Sequence, residues 1–171
     1  MIFETERLYV TRWQQHDLMA LHELYNDPAF KETIFPKLTL EETRQIFENQ
    51  LNLYNTSFPF GRYFIVEKSN EKFIGILLFR KDNNKKGVEI GYSLIKKEWN
   101  KGYATEIVKE SVAWLFEQDI FLSISAITEM YNENSKNVLL KCGFHPGENF
   151  IDNGKEMNLF GILKEDISVL Q

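Results

Sequence analysis

The stretch Glu89 to Glu106 gathers the residues whose types and order point most directly to chemistry. A strand-like run containing Gly91 passes through Lys96-Lys97-Glu98-Trp99-Asn100-Lys101 into a helical pattern that begins near Gly102-Tyr103-Ala104. The first backbone amides of a helix have no acceptor within it and sit in a positive partial field, and small residues let an anion come close. A pyrophosphate would fit such a turn. Neither of the best-known phosphate loops is present, since there is no Gly-Lys-Ser/Thr triplet and no set of three glycines at dinucleotide-binding spacing. The plain alternative is an ordinary strand-to-helix turn with solvated lysines. Gly91 also has two readings, a bulge in a strand or a place where a ligand or another backbone comes close.

Other reactive side chains offer less. Cys142 is the only cysteine, so neither an internal disulfide nor a thiolate metal cage can form. It falls on the apolar stripe of Val138 and Leu139, next to Gly143, where a small buried hydrophobe is expected. His16, His22 and His145 are scattered without metal-ligand spacing, and no metal is expected. The net charge of -5 lacks the basic excess that a sequence-independent grip on nucleic acid or an anionic membrane requires. Glu4, Glu6, Arg7 and Arg12 interrupt any apolar leader, and no later run approaches a membrane span, so a cytoplasmic location is expected.

A chain of 171 residues with 43% hydrophobic and 26% charged residues has the size and composition of one globular domain, 1–171, acting as a monomer or homodimer. Leu8 to Arg12 reads as a strand, and Leu18, Leu21 and Tyr25 follow at helical spacing up to Asp27-Pro28. Thr39 with Glu42 has the reciprocal capping pattern of a helix start, and Thr43, Phe47, Gln50, Leu51 and Tyr54 share one stripe ending before Ser57-Phe58-Pro59. Arg62 to Glu67 and Phe73 to Arg80 form a hairpin across Lys68 to Lys72. Val88 to Ile95 alternates as a strand, and Ala104, Ile107, Val108, Ser111, Val112 and Leu115 mark the central helix. Leu122 to Ile127 is a strand, Ser135 to Cys142 a short helix stopped by Gly143, and Phe144 with Glu156 to Leu163 supplies the last strands. The sum is a mixed α/β domain with a strand-helix-strand unit at its centre.

Four runs, in order, carry a resemblance. They are Thr5-Glu6-Arg7-Leu8 with Asp17-Leu18, then Glu89-Ile90-Gly91-Tyr92 with Trp99-Asn100-Lys101-Gly102-Tyr103-Ala104-Thr105-Glu106, then Asn132-Glu133-Asn134-Ser135 leading to Lys141-Cys142-Gly143-Phe144, and finally Phe160 to Asp166. Together they resemble the GNAT superfamily of N-acetyltransferases, in the branch of the ribosomal-protein N-terminal acetyltransferases. The resemblance implies a central twisted, mostly antiparallel sheet flanked by helices. Its one parallel strand pair, Val88–Ile95 and Leu122–Ile127, splays to admit acetyl-coenzyme A. By analogy, the pantetheine arm pairs with backbone at Tyr92, Ser93, Leu94 and Ile95. The pyrophosphate rests on amides of Asn100, Lys101, Gly102, Tyr103, Ala104 and Thr105. Where the superfamily motif often has Gln or Arg, this chain has Trp99, which removes a polar side chain from the cofactor site.

Acetyl transfer needs a neutral amine, a stabilised oxyanion and a proton for the departing thiolate. The resemblance implies direct attack within a ternary complex, with a backbone N–H around Leu94 polarising the thioester. Glu89 is the candidate base, with a structural ion pair to a lysine as its alternative role. Ser135 is the candidate acid, with helix capping as its alternative. Asn132 either hydrogen-bonds the pantetheine or caps the helix. Aromatic residues from Phe47 to Phe64 are mainly core, and some of them, with Phe30 and Phe35, could wall the amine pocket. The acceptor is a protein N-terminus or a small amine such as a polyamine, amino sugar or antibiotic. The competing readings are a non-catalytic acyl-coenzyme A-binding module and an unrelated enzyme with another phosphorylated ligand.

Overall fold

The computed structural model describes residues 1–31, 37–82 and 86–168. The chain divides into two compact units, Met1–Phe79 with Tyr92–Tyr103, and Arg80–Gly91 with Ala104–Gln171. Together the described residues make a mixed α/β fold in which antiparallel strand pairs predominate and one pair is parallel.

In the first unit, β1 (Phe3–Glu4) pairs with β2 (Leu8–Thr11), placing Phe3 opposite Val10. β2 pairs with β3 (Gly61–Glu67), and β3 forms the expected hairpin with β4 (Lys72–Lys81), with a register shift between Ile65 and Val66. α1 (Leu18–Asn26) stops where the sequence predicts. Pro28 does more than end it, however: it opens a short helix, α2 (Pro28–Lys31). A proline's fixed φ and missing N–H suit the first helical position as well as they break an interior.

α3 (Leu40–Thr56) starts on the predicted capping box. The Glu42 N–H donates to Thr39 Oγ1 at 3.2 Å and the Thr39 N–H donates to Glu42 Oε2 at 2.8 Å. Thr43, Phe47, Gln50 and Tyr54 are buried, and Leu51 lies at the margin of the stripe. They meet an aromatic core in which Trp13 stacks on Phe47 at 5.8 Å and Tyr54 lies 5.3 Å from Tyr63. Burying each such ring is worth about 1.5–3 kcal/mol, so packing rather than helix propensity sets where α3 lies against its sheet.

In the second unit, β5 (Gly87–Leu94, of which residues up to Gly91 belong here) runs parallel to β6 (Ser123–Glu129), from Gly87 opposite Ser123 to Ile90 opposite Ala126. The pairing stops there, although β5 continues to Leu94 and β6 to Glu129. A parallel pair needs a crossover, and α4 (Tyr103–Glu117) supplies it, burying Ile107, Val108, Ser111, Val112 and Leu115 as its periodicity predicts, whereas Ala104, at the start of the same stripe, is only half-buried. α5 (Glu133–Lys141) follows, then Gly143 at φ +87. β7 (His145–Asp152) and β8 (Lys155–Leu163) complete the antiparallel part. Phe144, expected to be in a strand, is instead buried just before β7. A short helix that the sequence did not announce, α6 (Lys164–Ser168), is opened by Asp166 Oδ2 accepting from the Leu163 N–H at 2.9 Å.

The Thr39 bonds hold the Glu42 carboxyl below the usual carboxylate range. Replacing Thr39 by Ala is expected to cost about 1 kcal/mol in a urea melt at neutral pH. The direction of Glu42's shift adds a pH signature: its contribution is complete above the ordinary carboxylate pKa and fades as pH falls through the lowered one. The gap between Thr39→Ala and wild type should therefore narrow in acid.

Candidate active site

Between β5 and α4 the chain makes a single 3-10 turn, Lys96–Glu98, and then two left-handed residues, Asn100 at φ +60 and Gly102 at φ +83. Asn and Gly are the residues that reach this region at least cost. Several side chains hold the turn. Trp99 Nε1 donates to the Leu94 carbonyl at 2.8 Å, tying the loop back to the strand it left. The Lys101 ammonium donates to Glu98, whose carboxylate is buried, at 2.7 Å, and this bond raises the pKa of Lys101. Arg7 Nη1 donates to the Lys101 carbonyl at 3.0 Å, and the guanidinium lies 4.5 Å from the centre of the Tyr103 ring. The Tyr103 hydroxyl donates to Glu67 at the end of β3, which raises the phenol's pKa and lowers that of the carboxyl. The loop is thus fixed up to Tyr103 by two cations and two carboxylates, Arg7 and Lys101 with Glu98 and Glu67.

Tyr92, Ser93, Leu94 and Ile95 form the end of β5 and the residue after it. Tyr92 is half-buried and the other three are buried. The Ile95 N–H already donates to the Ile74 carbonyl at 2.9 Å. A Cβ placed on Gly75 would stand 2.2 Å from the Ser93 carbonyl oxygen and 2.7 Å from Leu94 Cδ2. Only a residue without a side chain allows β4 this close to the end of β5.

Glu89 lies in the second unit, with its side chain 15% exposed and its Oε1 ion-paired to Arg80. An ion pair was the alternative role expected for it, with a lysine; the partner is an arginine. Its neighbour across the parallel ladder is Ser125, whose hydroxyl donates to Asp82 Oδ2 at 2.7 Å.

Around α5 the structure corrects the expected capping role of Ser135. Asn132 is the N-cap: its Oδ1 accepts the Ser135 N–H at 3.0 Å, and Ser135 itself stands in the first turn. A cap must precede the helix with non-helical backbone, and Asn132 does so at ψ 73. Cys142 is 9% exposed, its thiol points at the Thr105 carbonyl at 3.6 Å, and burial pushes its pKa up to about 11. Such a thiol is a packing group and a poor nucleophile.

Among the described residues, no group of three or more His, Cys, Asp or Glu is placed to hold a metal ion, and no helix is long and apolar enough to cross a membrane. Phe30 is buried in the first unit's core, and Phe35 lies outside the described residues. Two buried donors there, Trp13 Nε1 and Gln50 Nε2, have no hydrogen-bond acceptor among the described residues.

Residues 7–145 match the family described as the acetyltransferase (GNAT) domain. The chain belongs to the GNAT acetyltransferase family. It is 27% identical over 146 residues to the uncharacterized N-acetyltransferase YoaA of Bacillus subtilis, covering 84% of this chain and 82% of that protein. Among solved structures it is similar to the ribosomal-protein-S5-alanine acetyltransferase of Vibrio fischeri, with TM-score 0.81, 20% identity, and 96% and 97% of the two chains covered. It is also similar to the spermidine N-acetyltransferase of Vibrio cholerae in complex with CoA and spermine, with TM-score 0.76, 16% identity, and 94% and 97% covered. At these identities the structural likenesses show the fold alone. The chain is an N-acetyltransferase of a family that uses acetyl-coenzyme A.

Sequence reasoning passed over several residues that shape this acetyltransferase's candidate site: Gly75, Glu67, Arg80, and Arg7 as a partner of the α4 loop. Gly75 did carry a signal, as a glycine inside a strand pattern. Replacing it by Ala is expected to destabilise the acetyltransferase by about 1–3 kcal/mol in chemical denaturation, because the nearest contact is backbone and cannot swing aside. Asn132→Ala should lower stability by about 1 kcal/mol. Ser135→Ala should not show a cap's loss in the same melt.

Proposed function

We propose that the chain, as one catalytic domain, binds acetyl-coenzyme A at the end of β5 and the start of α4 and transfers its acetyl group directly to a primary amine, that of a protein N-terminus. The observation that carries the cofactor half is the start of α4, where left-handed Asn100 and Gly102 lead into a helix, whose first amides can find no acceptor within the helix itself. The residues there fit a pyrophosphate. The charge of Lys101 is balanced by Glu98, and the glycine at position 102 leaves no side chain beside its own amide. Amides from Asn100 to Thr105 hold the diphosphate in this reading, and backbone at Tyr92 to Leu94 holds the arm.

When bound, acetyl-coenzyme A supplies a thioester already activated toward amines. The chain's own residues then act on protons and charge. Glu89, oriented by Arg80, takes the proton that the incoming ammonium must lose. An amide near Leu94 stabilises the developing oxyanion, a role the engaged Ile95 N–H leaves to the residues before it. Ser135, in the first turn of α5, gives a proton to the leaving sulfur. The resemblance of the four sequence runs to the ribosomal-protein N-terminal acetyltransferases supports the protein N-terminus as acceptor.

Calorimetric titration is expected to show saturable binding of acetyl-coenzyme A and coenzyme A but not of ATP. No binding of either coenzyme would reject the proposal. Thiol release should then be faster with peptides bearing free N-termini than with polyamines or amino sugars. Binding without turnover on any amine would favour a non-catalytic acyl-coenzyme A module. Glu89→Gln should lower kcat by roughly 10²–10⁴ at neutral pH, the usual worth of a general base, and leave acetyl-coenzyme A affinity unchanged. Unaltered turnover would remove Glu89 from the chemistry.

A further inference from the structure

We infer that Arg7 is a positioning residue for the cofactor's pyrophosphate, acting by aiming the Gly102 amide rather than by touching the phosphate. The inference rests on the reading of the α4 start as the pyrophosphate seat. Arg7 is 94 residues from Lys101 in sequence, and its Nη1 reaches that residue's carbonyl at 3.0 Å. A trans peptide is planar, with its C=O and N–H pointing in opposite directions. Drawing the Lys101 carbonyl toward the guanidinium therefore turns the Gly102 N–H to the other side of the same peptide, away from the arginine's charge.

Three contacts make Arg7 a stiff handle. Its own carbonyl accepts the Lys68 N–H at 2.9 Å, so its backbone is pinned by the β3–β4 turn. Its guanidinium lies 4.5 Å from the Tyr103 ring centre, and that ring is in turn anchored by its hydroxyl on Glu67. Lys101, whose carbonyl it holds, is tied by its ammonium to buried Glu98. The left-handed φ of +60 at Asn100 carries a cost that the same region does not impose on Gly102, so Asn100 is the residue that a freed loop would release. A lysine at position 7 would keep the charge but not the planar group that stacks and donates at once. This separates aiming an amide from attracting an anion.

The test compares wild type, Arg7→Lys and Arg7→Ala by coenzyme A titration at low and high salt, and by the backbone amide resonance of Gly102 without ligand. The expected result is that both variants bind coenzyme A about tenfold more weakly, the scale of one charge-assisted hydrogen bond, by a similar factor at both salt concentrations. The Gly102 resonance should also move in the ligand-free variants. Wild-type affinity in Arg7→Lys, or a loss that disappears at high salt, would make Arg7 a charge contact and overturn the inference. Unchanged affinity in both variants, or an unmoved Gly102 resonance, would overturn it too. If Arg7→Ala does not fold, Arg7→Lys and Tyr103→Leu carry the same expectations. Failure of the underlying reading looks different: coenzyme A added to wild type would leave the Gly102 and Tyr103 amides unshifted, and the inference would fall with it.

Discussion

A helix cannot satisfy its own first N–H groups, and in this protein much of the first unit is arranged around that deficit at the start of α4. The chain enters the helix through left-handed backbone at Asn100 and Gly102, and at Asn100, which has a side chain, that conformation costs free energy unless other contacts hold it. Trp99 holds it to the Leu94 carbonyl, Glu98 to the Lys101 ammonium, and Arg7 to the Lys101 carbonyl. The indole N–H of Trp99 ties the loop to the end of β5. Donors fixed in this way need not reorganise when an anion arrives, which is the condition under which hydrogen bonds contribute most to binding and to stabilising developing charge.

Local signals in the sequence were enough for the main elements. The capping box at Thr39 and Glu42, the stripe from Ile107 to Leu115 and the hairpin of β3 and β4 each declare themselves within a few residues, and each formed as read. The failures have a shared cause. Arg7 and Lys101, Gly75 and Ser93, and Asp82 and Ser125 meet only because the chain folds back, and no periodicity records such a meeting. α2 was missed because Pro28 ends one helix and begins another, and the residue type serves both. In α5 both Asn132 and Ser135 are residue types that cap, and of the two expected caps the structure uses Asn132. An Asn followed three residues later by a capped amide is a cap pattern in its own right, and Asn132 uses it.

The candidate base shows how strongly strand geometry limits where chemistry can stand. Val88 and Ile90, opposite Ile124 and Ala126, form the buried face of the parallel pair, so Gly87, Glu89 and Gly91 must share the other. Sliding the carboxylate by one residue would drive it into the core and turn an isoleucine outward. On its own face Glu89 is flanked along β5 by two glycines, which leaves the carboxylate as the only β5 side chain between Gly87 and Gly91 on that face. A half-buried carboxylate without a partner would be costly, and Arg80 offsets that cost. Arg80 is itself 57% exposed, so the pair adds little to stability. Its physical effect is directional: it fixes one carboxylate oxygen on a strand whose register already determines the height and face at which an amine would have to meet it.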